Sequence, residues 1–287
     1  MIRSYLFTPA HQEKLVARAH ERGADAVLLD LEDSVPLANK AEAREALAGS
    51  VAQLHGKGVH VVVRVNRDLL GCASDLEAAV LAGVDAVMLP KVVGPDHVAL
   101  VDECLSACER AAGRADRSVG LIALIETPAA LLKAPEIAAT PRLTALALGT
   151  EDFATECGFA PAPENLFAPA QQLILAARAA GVQAVGLPGS IAEIRDMARF
   201  AATARQAKNM GFDGVLCIHP KQVAEVNAAF AVSEEERAQA ARIMAAFDQA
   251  LAENCAAVEL DGKMIDPPIV ARAQALLATP GRRKSPA

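Results

Sequence analysis

The chain has 287 residues, 53% of them hydrophobic but only 3% aromatic, so its core must be built from Ala, Val, Leu and Ile. A formal net charge of −7, one tyrosine and no tryptophan leave neither the basic stripe nor the stacking aromatics that nucleic-acid binding uses. Mean hydropathy is high at +0.24, yet no apolar run approaches the roughly 20 residues of a membrane span, so no membrane or nucleic-acid partner is expected.

Met1-Ile2-Arg3-Ser4 enters the first apolar run without a signal core, and a cytoplasmic location is expected. Eight short apolar runs follow, each leading into a helix-like stretch: Ser4–Thr8, Ala26–Asp30, His60–Val65, Ala86–Pro90, Gly120–Ile125, Leu143–Gly149, Gln183–Leu187 and Gly214–Ile218. Eight β-then-α units predict a TIM (β/α)8 barrel, an α/β fold whose strand C-termini share one face. Ala-rich amphipathic helices are predicted between them, among them Gln12–Arg22, Lys40–Leu54 and Ile191–Asn209. Gly23-Ala24-Asp25, Gly83-Val84-Asp85 and Gly211-Phe212-Asp213 repeat one grammar, a helix-ending glycine and then an aspartate before the next strand. Phe153–Pro169, with three prolines, reads as a long loop of the kind that forms lids.

Past the eighth unit, Ser233 and Glu236 form a capping box that opens a helix to about Asn254. Asp261-Gly262 reads as a tight turn and Pro267 as the start of a last helix. The tail Arg282–Ala287 is expected to be disordered. The resulting organisation is a barrel over 1–230 and an extension over 231–287 that contacts a neighbouring subunit, a use for the excess apolar surface.

The strand ends carry the chemistry. Run two opens into Asp30, Glu32 and Asp33, run three into Arg64 and Asn66, and run four into Lys91. Runs five, six and eight open into Glu126, into Glu151 and Asp152, and into His219. Glu126 and Asp152 close adjacent strands, where two carboxylates with water suit Mg²⁺ and equally suit a salt-bridged rim. Glu151 could replace Asp152, since strand alternation points the two opposite ways. Arg64 lies in an apolar strand and needs a carboxylate, either Glu32 or Asp33 or, preferably, a substrate's. Some acids of the cluster must pair with Arg64 and Lys40 or bond metal-bound water. Lys91 either neutralises that cluster or touches substrate. His219 is a candidate base, although a structural hydrogen bond is the better reading. The six cysteines show no CxxC pair and read as reduced thiols, Cys104 and Cys108 included.

Several stretches together resemble one family: Leu28–Val35, Val63–Asn66, Met88–Lys91, Leu124–Pro128, Ala147–Asp152 and Asp261–Pro268. They are similar to the citrate lyase β-subunit and its stand-alone relatives in the HpcH/HpaI aldolase superfamily, in order from about Arg3 to Leu277. The resemblance implies a Mg²⁺-dependent carbon–carbon lyase on a TIM barrel, cleaving a 3-hydroxy-3-carboxyacyl-CoA thioester to acetyl-CoA and a 2-oxo acid. Citramalyl-CoA and malyl-CoA are the leading substrates. It further implies Glu126 and Asp152 as metal ligands, with Glu126 also facing substrate, and Arg64 as anchor of the substrate's carboxylate and carbonyl oxygen. Asp33 would support the metal's water shell. Asp266 would handle protons in a neighbouring subunit's site, which calls for a homotrimer or hexamer. The family's usual Phe-Val-Pro-Gly is Phe7-Thr8-Pro9-Ala10 here, and Val185–Gly189 lacks the usual aspartate and aromatic. Metal and arginine positions are kept. Other readings are a citrate lyase β-subunit acting on an acyl-carrier-protein thioester, a malyl-CoA thioesterase, and a non-catalytic assembly barrel. Retention of Glu126, Asp152 and Arg64 argues against the last.

Overall fold

The computed structural model describes residues 2–278. Eight parallel strands form one sheet: β1 Ser4–Pro9, β2 Ala26–Asp30, β3 His60–Arg64, β4 Ala86–Leu89, β5 Gly120–Ile125, β6 Leu143–Leu148, β7 Gln183–Val185 and β8 Val215–Cys217. The order β7-β6-β5-β4-β3-β2-β1-β8 sets chain neighbours side by side and joins β8 to β1. A parallel bridge between Val185 and Gly214 draws β7 to β8, and the Gly186 N–H donates to the Gly214 carbonyl at 2.9 Å. The fold is the nearly closed TIM-type barrel that the strand pattern predicts.

Strand alternation divides the core in two. Leu28, Val62, Met88, Ile122, Leu124 and Leu216 belong to a cluster made of strand residues alone, the barrel's filling. Val27, Leu29, Val61, Val63 and Val87 join the larger cluster shared with the surrounding helices. At the opposite end from the mouth, the three glycine–aspartate repeats have a structural task. Gly23, Gly83 and Gly211 take φ of 71°, 83° and 108°, the left-handed conformation that ends a helix. Asp25 then accepts the Arg3 N–H at 2.9 Å, Asp85 the Val61 N–H at 2.7 Å and Asp213 the Ala184 N–H at 2.9 Å. Each aspartate before a strand thus caps the start of the preceding strand.

Three predicted segments differ. Gln12–Arg22 is a short helix, Glu13–Ala17, followed by a 3₁₀ turn, Ala19–Arg22, and Lys40–Leu54 is two helices, Lys40–Glu45 and Leu47–His55. The helix expected from Ile191 begins at Met197, because the Asp196 side chain caps it by accepting the Arg199 N–H at 2.9 Å. Phe153–Pro169 is not a long loop. Thr150–Cys157 is helical, and a second helix runs Pro163–Ala180 with Pro169 inside it. Burial of Leu166, Ala170, Leu173 and Ala177 on one face outweighs the lost backbone bond, and Asn165, whose carbonyl loses that donor, is exposed.

The described residues fall into two compact units, one ending at Phe230 and one beginning at Ala231. In the second, Ser233 and Glu236 close the capping box on helix Glu234–Ala252. Strands β9 Val258–Leu260 and β10 Lys263–Ile265 form a hairpin around Asp261 and Gly262, at φ of 52° and 73°. The helix Pro267–Ala278 follows, and Phe247, Ile265 and Val270 are the buried centre of the unit. The Arg282–Ala287 tail lies outside the described residues. All six cysteines are free thiols, and no helix among the described residues is long and apolar enough to cross a membrane.

Candidate active site

Alternation that turns Leu28, Val62 and Leu124 into the barrel turns Asp30, Arg64 and Glu126, two residues further on, to the same side at the C-terminal mouth. Asp30 and Arg64 are register partners on β2 and β3. Asp30 Oδ1 accepts the Arg64 Nε–H at 2.7 Å and Oδ2 accepts from Nη2 at 2.8 Å. Burial opposes charge on Asp30, but the Arg64 bonds outweigh it and hold its carboxyl below the usual range. Burial also opposes charge on Arg64, and the Asp30 bonds more than restore it. Glu32 Oε2 lies 3.0 Å from Arg64 Nη1, off the N–H direction, so this contact is an ion pair without a hydrogen bond. The Phe7 ring stacks 4.8 Å from the guanidinium carbon.

These contacts correct the sequence reading of Arg64. Its main partner is Asp30, with Glu32 second and Asp33 at 3.8 Å. The shared parity of Asp30 and Arg64 on adjacent strands was the available signal. Two N–H groups are committed to Asp30, and the Nη atoms retain others for a ligand.

Among the described residues, Lys40 does not pair with an acid side chain. Its ammonium donates to the Leu31 and Glu32 carbonyls, each at 2.8 Å, and to Asn66 Oδ1. Asn66 is fixed in turn by fully buried Asp75, which accepts from its N–H and Nδ2 at 2.7 and 2.6 Å and from Arg44 Nε at 2.8 Å. Nothing in the linear sequence marked this brace under the β2 and β3 ends.

Lys91 takes the neutralising role left open for it. Its ammonium lies 2.8 Å from Glu32 Oε1 and 3.2 Å from Asp33 Oδ1. Its backbone N–H donates to Glu126 Oε2 at 2.6 Å, from a φ of 48°. Glu126 is 2% exposed. Burial pushes its carboxyl up to about 8, and the charges of Asp152 and Glu32 add to this against the Lys91 N–H and Arg64. No residue among those described donates to Oε1. Gly149 gives Glu126 its room, since a Cβ there would stand 2.5 Å from Glu126 Cγ.

Asp152 does not end a strand. It sits, exposed, in the first turn of the helix Thr150–Cys157, so Glu151 and Asp152 are separated by helical rotation and not by alternation. Glu151 Oε1 accepts the Ser190 hydroxyl at 2.6 Å, whereas Asp152 has no hydrogen bond or ion pair among the described residues. His219 Nδ1 accepts the Lys221 N–H at 3.1 Å, a structural bond. Asp266 belongs to the C-terminal unit, where its carbonyl accepts the Ile269 and Val270 N–H groups at the start of the last helix.

The mouth therefore gathers Asp30, Glu32, Asp33, Arg64, Lys91 and Glu126, with the charge of Asp152 felt at Glu126. Among the described residues no three His, Cys, Asp or Glu side chains form a cage for a metal ion. A cation here would rest on Glu126, Asp152 and water, a sphere of hard oxygens that Mg²⁺ accepts. Burial first, and the charges of Asp152 and Glu32 after it, disfavour the ionised form of Glu126; a cation bound there would offset both, so the donors fit it.

Residues 3–220 match the family described as HpcH/HpaI aldolase/citrate lyase. The chain belongs to that family. It is a lyase-type enzyme, 36% identical over 281 residues to the citrate lyase subunit beta of Escherichia coli K12, a match covering 96% of this chain and 92% of that protein. A (3S)-malyl-CoA thioesterase of Cereibacter sphaeroides is 34% identical over 267 residues, covering 92% and 89%. Among solved structures, the protein CitE of Mycobacterium tuberculosis, in complex with magnesium, acetoacetate and coenzyme A, is 31% identical. It superposes with a TM-score of 0.76 over 96% of both chains. The family reading drawn from the sequence motifs is thus correct.

Proposed function

We propose that this enzyme is a Mg²⁺-dependent lyase that splits a 3-hydroxy-3-carboxyacyl thioester, of citramalyl-CoA or malyl-CoA type, into a 2-oxo acid and acetyl-CoA. The observation that carries the reading is Glu126, a buried carboxyl group at the mouth with one oxygen held by the Lys91 N–H and the other given no donor among the described residues. Glu126 and Asp152 would hold the cation. Asp152 is preferred to Glu151 because Ser190 already occupies Glu151. When bound, Mg²⁺ would supply Lewis acidity to the substrate's hydroxyl and carboxylate oxygens.

The chain's own groups do the rest. Arg64, held by Asp30, offers its remaining N–H groups to the substrate carboxylate and to the oxygen that becomes the oxo group. Asp33, more than half exposed, faces the water around the site. As the hydroxyl proton leaves, the oxygen's electrons form the C=O bond of the 2-oxo acid, and the carbon–carbon bond breaks with its electron pair left on the acetyl carbon, which takes up a proton. Asp266 of a neighbouring copy is the group we assign to that proton, in a proposed homotrimer or hexamer with shared sites.

The 36% identity with the Escherichia coli citrate lyase subunit beta favours a second reading, a β-subunit acting on a thioester carried by an acyl carrier protein. The relatedness to the malyl-CoA thioesterase supports a third. Product identity decides. A lyase releases acetyl-CoA with a 2-oxo acid, a thioesterase releases free CoA with a hydroxy diacid, and a carrier-dependent subunit leaves CoA esters intact.

A further inference from the structure

Lys91 is the one non-glycine residue at the mouth held at positive φ, 48°, a conformation with a steric cost for any side chain bearing a Cβ. The strained backbone has two visible products. It aims the Lys91 N–H at Glu126 Oε2, 2.6 Å away, and it sends the ammonium across to Glu32 Oε1 and Asp33 Oδ1. The Lys91 carbonyl is also engaged, accepting from Arg67 Nε at 3.2 Å. One residue therefore binds three of the site's carboxylates, Glu126 through its backbone and Glu32 and Asp33 through its side chain.

Glu32 and Asp33 have no other strong restraint on the oxygens Lys91 holds. Glu32 Oε2 leans on Arg64 without a hydrogen bond, and Asp33 is largely exposed, with Arg64 at 3.8 Å. Without Lys91, Glu32 Oε1 would lose its partner, with only the Oε2 ion pair to Arg64 left to hold Glu32, and Asp33 would keep only its 3.8 Å contact with Arg64, so both would be freer to turn toward a cation at Glu126. A divalent cation would draw them in, because it gains more from added carboxylates than from water.

We infer that Lys91 is a positioning residue that withholds Glu32 and Asp33 from the metal and leaves Glu126 a single free oxygen, so that coordination positions stay open for substrate. This rests on the metal reading of the site given above. The inference separates metal affinity from turnover. Removing the ammonium tightens cation binding and slows the reaction, whereas a merely structural defect weakens both.

The test is calorimetric titration of the metal-free protein with MgCl₂, for wild type, Lys91→Met, Lys91→Gly and Lys91→Arg, alongside kcat and KM on the turned-over thioester. Lys91→Gly keeps the backbone N–H and tolerates the positive φ, so it stays folded if Lys91→Met does not. Both are expected to bind Mg²⁺ several-fold to about tenfold more tightly, with kcat reduced. Lys91→Arg, which restores a cation, returns the affinity toward wild type. Unchanged or weaker Mg²⁺ binding in folded Lys91→Gly overturns the inference. Absence of Mg²⁺ binding by wild type itself overturns the metal reading, and the inference with it.

Discussion

Asp30 and Arg64 stand directly opposite each other on neighbouring parallel strands, and both oxygens of the carboxylate face the Nε and Nη2 edge of the guanidinium. The pair is almost wholly buried, with side chains 1% and 10% exposed. This geometry holds the guanidinium plane fixed while Phe7 covers one face. Preorganisation of that kind lets Arg64 present its remaining donors without reordering a flexible side chain.

Asp30→Ala would leave the buried guanidinium with Glu32 as its near partner. Breaking a buried pair from one side costs about 3 kcal/mol or more. The substitution is expected to lower the urea midpoint accordingly and to raise KM through loss of Arg64's orientation. A stability change under about 0.5 kcal/mol would mean the pair contributes little.

Glu126 is the group whose charge should govern metal binding. With its carboxyl near 8 in the metal-free protein, Glu126 is mostly protonated at neutral pH. A cation must displace that proton, so Mg²⁺ affinity rises about tenfold per pH unit below 8 and levels off above it. Calorimetry at pH 7 in buffers of different ionisation enthalpy is expected to show net proton release on Mg²⁺ binding that diminishes as the pH is raised above 8. In Glu126→Gln, which still accepts the Lys91 N–H, the Mg²⁺-dependent rise in melting temperature should vanish while the fold persists. A pH-independent affinity between 6 and 8 would count against Glu126 as ligand.

The proposed sharing of active sites between subunits is tested decisively by a mixing experiment. Arg64→Lys and Asp266→Asn proteins are each expected to be impaired. Refolded or coexpressed together, they should regain activity in the subunit interfaces that combine one intact Arg64 with one intact Asp266. No recovery in verified mixed oligomers would mean that Asp266 serves its own chain's site or none.

Much of this was legible in the residues themselves. The strands announced themselves because both of their faces are buried, giving apolar runs that stop where polar mouth residues begin. The glycine–aspartate repeats were legible as turn grammar, although their reach to the preceding strand was not. Prolines misled at Phe153–Pro169. Pro163 opens a helix and Pro169 is carried inside one by the packing of Leu166, Ala170 and Leu173. Asp152 was placed on a strand end because the turn at Gly149 leaves no sign of where helix replaces strand. The contacts of Lys91, Asp75 and Ser190 were hidden for another reason. Each depends on which side chains meet across elements far apart in sequence, and periodicity carries no record of that.

The most direct test of the account is release of a 2-oxo acid from citramalyl-CoA, malyl-CoA and citryl-CoA, each with Mg²⁺ and with EDTA, by wild type and Glu126→Gln. The account expects pyruvate, glyoxylate or oxaloacetate from at least one thioester with wild type and Mg²⁺, and none with EDTA or with Glu126→Gln. Equal release in EDTA, or undiminished release by Glu126→Gln, would contradict it.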